Sequence, residues 1–283
     1  MAMSTSRLTT RSMLRLLLLL FPCVIPSVSS SNQNYNAYNY DMTTPQFTPD
    51  GRLLQVEYAS KAATHSSPCV IWKPPQGTDD EITLIMTAKS SRKIQNRLIP
   101  LSETTAVCLS GVVSDSLALL SKVYEVQDNN RRLYGSALTE LQIANSIAIS
   151  CQRHSFGGGL RPYGSTMVIV SPKGILQTDP SGAVLTVNTD AKLHVVGGST
   201  SSAEELRRTT QLLLLQQHQR AETPETTLAN ALLALAKAVL ETSLGENDPL
   251  DNAWLEVMVV SKKQGIHKLT NDQIERLLAK VRE

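Results

Sequence analysis

The sequence lacks a dominant charge of either sign. It holds 27 Lys and Arg residues against 25 Asp and Glu residues, a formal net charge of +2, and it contains no long basic run. A clustered basic surface is the usual electrostatic mark of a nucleic-acid-binding protein. The composition therefore predicts no nucleic-acid partner.

Cysteine and histidine are too few and too scattered for a disulfide framework or a metal site. The four cysteines show no CxxC spacing, and no Asn-x-Ser/Thr glycosylation sequon occurs. The five histidines stand in separate segments, at His65, His154, His194, His218 and His267. We expect no metal, no cofactor, and reduced core cysteines at Cys69, Cys108 and Cys151.

Only one long apolar run is present, and it lies near the N-terminus. Three arginines precede the unbroken run Leu16–Phe21, and small residues follow at Ser27–Ser31. This is the order of a secretory signal peptide. The apolar stretch spans about a dozen residues, short of the roughly twenty needed to cross a bilayer as a helix. We interpret residues 1–31 as a signal or targeting peptide and predict no stable membrane anchor.

The rest of the chain divides into a short polar segment and one large domain. Residues 32–39 are mostly Ser, Asn, Gln and Tyr, a composition that predicts a disordered linker. Residues 40–283 are long enough to bury a full core, since 41% of the chain is apolar. This length also excludes a miniprotein held together by disulfides.

Hydrophobic periodicity and turn residues predict alternating groups of helices and strands in this domain. The predicted order is a turn at 48–51, a helix over 52–64, strands at 69–72, 82–87 and 105–109, helices over 114–128 and 139–152, a four-stranded meander over 166–196, helices opening at a Ser202 capping box and at Thr223-Pro224, a strand over 254–260 and a helix from 271. Two sheets packed between two helical layers bury this order economically. We therefore predict an α+β protein with a four-layer αββα sandwich.

The start of the domain carries the most specific motif of the chain. Tyr40-Asp41 precedes the unbroken string Phe47-Thr48-Pro49-Asp50-Gly51-Arg52-Leu53-Leu54-Gln55-Val56-Glu57-Tyr58-Ala59. This order resembles the amino-terminal signature of proteasome α subunits. Further matches follow in the family's order, at Ser110-Gly111, Tyr134-Gly135, Arg161-Pro162-Tyr163-Gly164 and Thr178-Asp179-Pro180-Ser181-Gly182. The resemblance covers residues 40–283 and implies the N-terminal nucleophile hydrolase fold of proteasome subunits.

The resemblance also implies which residues act in the family's gate and outer surface. In related α subunits the Tyr-Asp-Arg tails meet at the ring axis and order the gate. The corresponding gate residues of this chain are Tyr40 and Asp41, and the rest of the N-terminal signature is Pro49, Asp50, Gly51, Arg52, Gln55, Glu57 and Tyr58. The chain departs from the family at Met42, which replaces an Arg, and at Thr48, which replaces a Ser. Methionine cannot form the bidentate pairs of an arginine.

A second implied site is a pocket between neighbouring α subunits. There the family places a Lys that pairs with the C-terminal carboxylate of an activator's tail. Counting back from Ser110-Gly111, the comparable residue is Arg97, which follows a loop several residues shorter than usual. Arg97 is therefore the activator-pocket candidate, and a merely solvated surface cation is the alternative.

Taken together, the resemblance implies a non-catalytic α-ring subunit of the 20S proteasome core. Its partners would be other α and β subunits in hetero-oligomeric rings, C-terminal tails of regulatory particles or activators, and protein substrates. The β subunits would supply the threonine-type endopeptidase activity used in ubiquitin-dependent protein catabolism. No catalytic residue and no cofactor are implied here. We expect the cytoplasm and nucleus if the leader is not used.

Two alternatives stay open. A stand-alone or β-like threonine hydrolase of the same fold needs an N-terminal Thr, Ser or Cys exposed at the start of a strand. Gly77-Thr78 is the only Gly-Thr pair, and cleavage there discards the predicted strand Cys69–Trp72. The other alternative is a divergent α-type homologue sent by its leader to the secretory path or an organelle.

Overall fold

The computed structural model describes residues 46–74, 81–89, 96–157, 160–187, 193–218, 224–243 and 254–282. All of them belong to one compact unit, Asn39–Glu283. The helices are α1 (Leu54–Thr64), α2 (Val113–Tyr134), α3 (Glu140–Phe156), α4 (Thr200–His218), α5 (Pro224–Ser243) and α6 (Asn271–Arg282). The strands are β1 (Cys69–Trp72), β2 (Ile82–Lys89), β3 (Leu98–Pro100), β4 (Ala106–Gly111), β5 (Ser165–Ser171), β6 (Gly174–Thr178), β7 (Val184–Val187), β8 (Leu193–Val196), β9 (Trp254–Ser261) and β10 (Gly265–Lys268).

The ten strands form two five-stranded antiparallel sheets. The first sheet has the order β10-β9-β2-β1-β8 and the second the order β3-β4-β5-β6-β7. Helices α4, α5 and α6 cover the first sheet, and α2 and α3 cover the second. The strands at the centre of each sheet are therefore covered on both faces.

Three apolar cores separate the four layers. Along β2, Leu84 and Met86 belong to the core under α4, α5 and α6, whereas Ile85 between them belongs to the core between the sheets. A third core joins the second sheet to α2 and α3. Side chains of a strand alternate between faces, so a strand buried on both faces needs a continuous apolar run. The predicted four-layer αββα sandwich is confirmed.

The predicted four-stranded meander is wrong at its last strand. β5, β6 and β7 do follow one another in the second sheet, but β8 pairs with β1 in the first sheet, with Cys69 opposite Val196. The pattern of a short strand is the same in either sheet. Sequence periodicity therefore cannot assign β8 to its partner.

Two short strands were not predicted from the sequence, and several helices end at residues other than those predicted. β3 and β10 have three and four residues and lie at sheet edges, where the apolar pattern is weakest. α2 continues six residues past its predicted end and stops at Gly135, whose φ of 65° lies in the left-handed region. A glycine in that conformation is a common helix terminator.

The first turn of α4 shows a capping residue other than the predicted one. The Ser202 backbone amide donates to the Ser199 side-chain oxygen at 3.2 Å, so α4 begins one turn before the predicted Ser202 box. A capping box that the sequence pattern did not reveal lies at Thr139 and Gln142 of α3. Both devices satisfy amides that have no partner inside the helix.

Helices α2 and α3 each carry an exposed apolar residue beside their buried face. Tyr124 of α2 and Leu141 of α3 face outwards, while Leu119 and Ile143 belong to the core beneath these helices. No helix in the described part of the chain is long and apolar enough to cross a bilayer.

A hydrogen bond between His194 and Gln177 joins the two sheets. His194 of β8 stands opposite Ile71, which belongs to the core between the sheets, and its Nε2 lies 2.9 Å from the Gln177 Oε1 of β6. Burial, aided by the nearby Arg207 charge, lowers the pKa of His194 to about 4. The ring is therefore neutral at pH 7.

We expect acidification to destabilise the fold through His194. From about pH 6.5 down to about pH 4 the unfolded chain binds a proton that the folded chain excludes. The free energy of unfolding therefore decreases as the pH is lowered. The loss between pH 7 and pH 5 is about 2 kcal/mol. Urea unfolding should show this slope in the wild type and in the exposed-site control His267→Gln, but not in His194→Gln. An equal slope in His194→Gln would contradict the assignment.

Candidate functional site

The signature segment begins with the predicted turn. The Gly51 amide donates to the Thr48 carbonyl at 2.8 Å, and the Arg52 amide donates to the Thr48 hydroxyl at 3.0 Å. Gly51 has a φ of 78°, a conformation that glycine adopts without strain. Pro49 and Asp50 are exposed in the turn. The turn thus sets the start of α1 and presents its polar residues to the outside.

The polar signature residues of α1 lie away from its buried face. The Arg52 side chain forms an ion pair with Glu57, and this pair raises the pKa of Arg52 and lowers the pKa of Glu57. Tyr58 is exposed and Gln55 is half-buried. The structure therefore brings these signature residues to one outer region, while Tyr40 and Asp41 lie outside the described residues.

The buried face of α1 closes over the ends of β4 and β5. It consists of Val56, Ala59 and Ala63. The Ser110 hydroxyl donates to the Ala63 carbonyl at 3.1 Å. Small residues at this contact let the helix backbone approach the sheet. The segment before β1 is therefore folded against the second sheet.

The Ser66 and Ser110 hydroxyls join the connection after α1 to the end of β4. Their oxygens lie 2.8 Å apart, and both residues are buried. The Ser66 carbonyl also accepts from the Gly198 amide at 2.8 Å. The end of β4 and the segment after β8, from opposite sheets, thus meet at the residues that precede β1.

Arg97 lies directly before β3, beside a small open pocket. Asn96, Leu109, Gly111 and Leu117 line the pocket together with Arg97. The Arg97 backbone is held on both sides, because its carbonyl accepts from the Leu109 amide at 2.9 Å and its amide donates to a carboxylate of β9 at 2.9 Å. Val113 and Ser116 complete the lining, so the pocket has mixed apolar and polar walls and one cationic side chain whose backbone is fixed.

The Arg97 guanidinium has a neutral partner in the described structure. Its Nη1 donates to the Ser67 carbonyl at 3.1 Å. Among the described residues no carboxylate oxygen lies within 4.0 Å of the guanidinium nitrogens. A half-buried arginine paired only with a carbonyl keeps donors suited to a carboxylate or another anion. Arg97, the predicted pocket residue, thus borders a small pocket with part of its hydrogen-bonding capacity unused by the described residues.

The carboxylate that holds the Arg97 backbone belongs to Glu256, which was not among the residues predicted from the sequence. Glu256 is 2% exposed in the middle of the first sheet. It also accepts from Lys268 at 2.5 Å, and the Lys89 Nζ lies 3.6 Å away. Burial, more than any neighbouring charge, lowers the pKa of Lys89. A single acidic residue in an otherwise apolar strand was the available signal.

A second buried carboxylate, Asp115, explains the Arg-Pro-Tyr-Gly motif. Both Asp115 oxygens accept from Arg161 at 2.7 Å, and Oδ2 also accepts from the Gly164 amide at 2.8 Å. The Arg161 side chain, through its hydrogen bonds to Asp115, is the main cause that lowers the pKa of Asp115. The Tyr163 ring lies 4.1 Å from the His154 ring. The motif ties the strand β5 to the first turn of α2.

The Asp-Pro-Ser-Gly motif forms the predicted hairpin between β6 and β7. The Asp179 side chain accepts from the Ser181 hydroxyl at 2.7 Å and from the Ala183 amide at 2.9 Å. The Ser155 hydroxyl of α3 donates to the Pro180 carbonyl at 2.8 Å. The hairpin is therefore attached to the helix above it, which is a structural role.

The cysteines and histidines form no reactive or metal-binding group in the part of the chain that the structure describes. Cys69, Cys108 and Cys151 are buried and free, as predicted. Burial raises the pKa of Cys151 to about 12 and raises that of Cys69 well above its usual range. The described residues contain no cluster of three His, Cys, Asp or Glu side chains suited to a metal ion. These two thiols are protonated at neutral pH and are poor nucleophiles.

Comparison with known proteins agrees with the motifs and with the fold. A family model for the N-terminal signature of the proteasome's A-type subunits matches residues 40–62, and the family model for the proteasome subunit itself matches residues 78–251. A proteasome alpha subunit of Methanopyrus kandleri is 29% identical over 86% of this chain and 93% of its own length.

Two further relatives extend the similarity across archaea and plants. The proteasome alpha subunit of Methanothermobacter thermautotrophicus is 24% identical over 86% of this chain and 93% of its own length. The proteasome alpha type-7 subunit of Cicer arietinum is 27% identical over 86% of this chain and 92% of its own length. The match to the proteasome subunit family model, the match to the N-terminal signature and the α-type relatives all agree. The chain therefore belongs to the proteasome subunit family, as a divergent member of the α type.

Proposed function

We propose that this chain is a non-catalytic ring subunit of a proteasome core particle. The observation that carries the proposal is the folded segment before β1. In this fold a catalytic subunit needs its nucleophile at a free N-terminus on a strand start. Here α1 packs on the second sheet. The chain then continues through the buried residues Ala63 and Ser66 directly into β1, which begins at Cys69. Hydrolysis of substrate proteins is then the task of partner β subunits.

The alternative nucleophile, Thr78, is disfavoured by the position of β1. Cleavage before Thr78 removes β1, which lies between β2 and β8 in the first sheet. Val70 and Ile71 of this strand are buried, so both the inter-sheet core and the core beneath α4 and α5 would lose apolar contacts. Thr78 itself lies outside the described residues.

Ring assembly and gating are the finer part of the proposal. The relatives are named as proteasome alpha subunits, and the exposed Arg52 and Tyr58 with the half-buried Glu57 offer a polar surface around the start of α1 for neighbouring subunits. Tyr40 and Asp41 are proposed gate residues, with Met42 in place of the arginine that the family uses. Substrates would be proteins degraded by the particle, including ubiquitin-tagged ones.

Native purification of the endogenous chain tests the proposal. We expect co-purification with α-type and β-type proteasome subunits, and mass spectrometry should find an N-terminus upstream of α1. A chain recovered alone, or one that begins at Thr78 and hydrolyses peptides, would contradict the proposal. An N-terminus after residue 31 together with an organellar location would favour the divergent homologue over a cytoplasmic and nuclear particle.

We also propose that Arg97 binds the C-terminal carboxylate of an activator. The probe is a fluorescein-labelled peptide, Gly-Ser-Gly-Ser-Gly-Ser-Leu-Leu, which ends in a free carboxylate. A charge-assisted hydrogen bond contributes about 1.5–3 kcal/mol, so Arg97→Met should weaken binding to the purified particle by about 10- to 100-fold.

The amidated form of the same peptide is the matched ligand control. Amidation should weaken binding to the wild-type particle but not to Arg97→Met, because the two changes remove the same interaction. Arg276→Met, at an exposed position of α6, should bind both peptides as the wild type does. If amidation weakens binding equally in the wild type and in Arg97→Met, Arg97 does not bind the carboxylate.

A further inference from the structure

Glu256 connects the centre of the first sheet to the rim of the Arg97 pocket. It lies on β9, which pairs with β2 along its whole length, and Glu256 stands opposite Thr87. The Arg97 amide reaches the Glu256 Oε2 at 2.9 Å although the two residues are 159 positions apart in sequence. The residue directly before β3 of the second sheet is thus bound to a strand of the first sheet.

The two oxygens of Glu256 have different partners. Oε1 accepts from Lys268 at 2.5 Å, while Oε2 accepts from the Arg97 amide and lies 3.6 Å from the Lys89 Nζ. Lys89 also donates to the Asn96 side-chain oxygen at 2.6 Å, one residue before Arg97. Asn96 and Arg97, at the edge of the pocket, are therefore bound through hydrogen bonds to Lys89 and Glu256 respectively.

Among the described residues, two lysines pair with the carboxylate of Glu256. The Lys89 and Glu256 side chains are only 5% and 2% exposed, and Lys268 adds a second cation to the same carboxylate. A buried charge is costly unless it is paired. The Glu256 carboxylate also accepts a hydrogen bond from the backbone amide of Arg97. The Arg97 guanidinium contacts the Ser67 carbonyl instead.

We propose that Glu256 is a positioning residue for the Arg97 pocket. Its carboxylate fixes the Arg97 backbone and neutralises Lys89 and Lys268, and this leaves the Arg97 guanidinium available to an anionic ligand. The inference rests on the proposed docking function of Arg97 and adds a residue that does not touch the ligand. The partner is an activator tail that ends in a free carboxylate.

The test uses the complete particle that contains the full chain. Glu256→Gln keeps the side-chain shape but removes the charge, and its NH2 group must face either Lys268 or the Arg97 amide and Lys89, which are all donors. Glu81→Gln is the matched control, because Glu81 is a partly exposed glutamate paired with Lys262 at 3.7 Å. The readouts are peptide affinity by fluorescence polarisation, hydrogen exchange at the Arg97 amide by mass spectrometry with fragmentation, and basal peptide hydrolysis.

In Glu256→Gln we expect the Arg97 amide to exchange about tenfold faster, since its buried acceptor is weakened. Affinity for the free-acid peptide should fall about five- to tenfold, because the binding donors are no longer preorganised. Affinity for the amidated peptide should not change. Glu81→Gln should behave as the wild type in all readouts.

Glu256→Asp covers the case in which Glu256→Gln does not assemble. It keeps the buried negative charge, but its side chain is one methylene shorter and cannot reach Lys268 and the Arg97 amide together. We expect about threefold faster Arg97 exchange and a smaller loss of affinity, in line with partial opening of the site. Wild-type exchange and affinity in the assembled variant would overturn the role of Glu256.

The outcomes separate this inference from the proposed function. If Arg97→Met binds the free-acid peptide as the wild type does, the docking function itself fails. If Arg97→Met loses binding while the assembled Glu256 variant keeps wild-type affinity, docking stands and the positioning role is refuted. A loss of affinity for both the acid and the amidated peptide also refutes it, because this would reflect general damage to the pocket.

Discussion

Replacing Gly111 with alanine is expected to cost about 3–5 kcal/mol of unfolding free energy, the range of severe overpacking combined with an unfavourable backbone conformation. Gly111 ends β4 with a φ of 102°. A Cβ there would overlap the Gly164 carbonyl and would lie 2.8 Å from the Ala63 Cα of α1. These neighbours are backbone atoms, which cannot rotate away. The substitution should therefore push α1 off the second sheet.

Urea unfolding followed by tryptophan fluorescence measures this effect, since Trp72 and Trp254 are both buried. Gly135→Ala is the matched control. Gly135 also has a positive φ, of 65°, but no atom lies within 4 Å of its would-be Cβ. Its cost should be only about 1 kcal/mol, from the backbone alone. If both variants lost the same stability, the close approach of α1 would not be the cause.

The second large effect is expected at Asp115, where alanine should cost about 2–4 kcal/mol. The buried Gly164 amide would lose its acceptor, and Arg161 would lose a bidentate partner. Asp115→Asn should cost about half as much, because an amide oxygen still accepts from Gly164. Glu125→Ala should leave the urea midpoint unchanged, since the Glu125–Lys122 pair on the same helix is exposed.

The pH dependence gives an independent check on Asp115. Its folded pKa lies below the unfolded value, so its stabilising contribution is present above about pH 4, the unfolded pKa of an Asp. This contribution is lost as the pH falls through the folded pKa. The stability difference between the wild type and Asp115→Asn should therefore shrink below pH 4. A constant difference down to pH 2 would contradict the ion-pair assignment.

Structural features that depend only on residues adjacent in the sequence could be predicted from it. The turn at Thr48–Gly51, the strand β1 and the helix α5 follow from proline and glycine positions or from continuous apolar runs, and each lies close to its predicted place. The four layers followed from the order of elements. The least reliable features were short edge strands such as β3 and β10, whose three or four residues carry too little pattern.

The candidate site was predictable only in part. Counting from Ser110-Gly111 singled out Arg97, which borders a small pocket of this chain, and its role between neighbouring subunits stays a prediction. Nothing in sequence spacing indicated that Arg97 is held by Glu256 or that Asp115 pairs with Arg161 across 46 positions. Both contacts arise where distant strands or helix ends converge. A lone acidic residue in an apolar strand is a signal for such a partner, but it does not name the partner.

The sequence by itself determined the helices and most strands, the opening turn and the α-type proteasome resemblance, because periodicity, turn chemistry and motif order act over a few adjacent residues. Only the tertiary structure decided that β8 joins the first sheet, that Gly111 meets Ala63, and that Glu256 binds the Arg97 amide. These outcomes depend on packing and charge pairing between segments far apart in the chain. Such contacts form, and stabilise the fold, only when the layers have packed together.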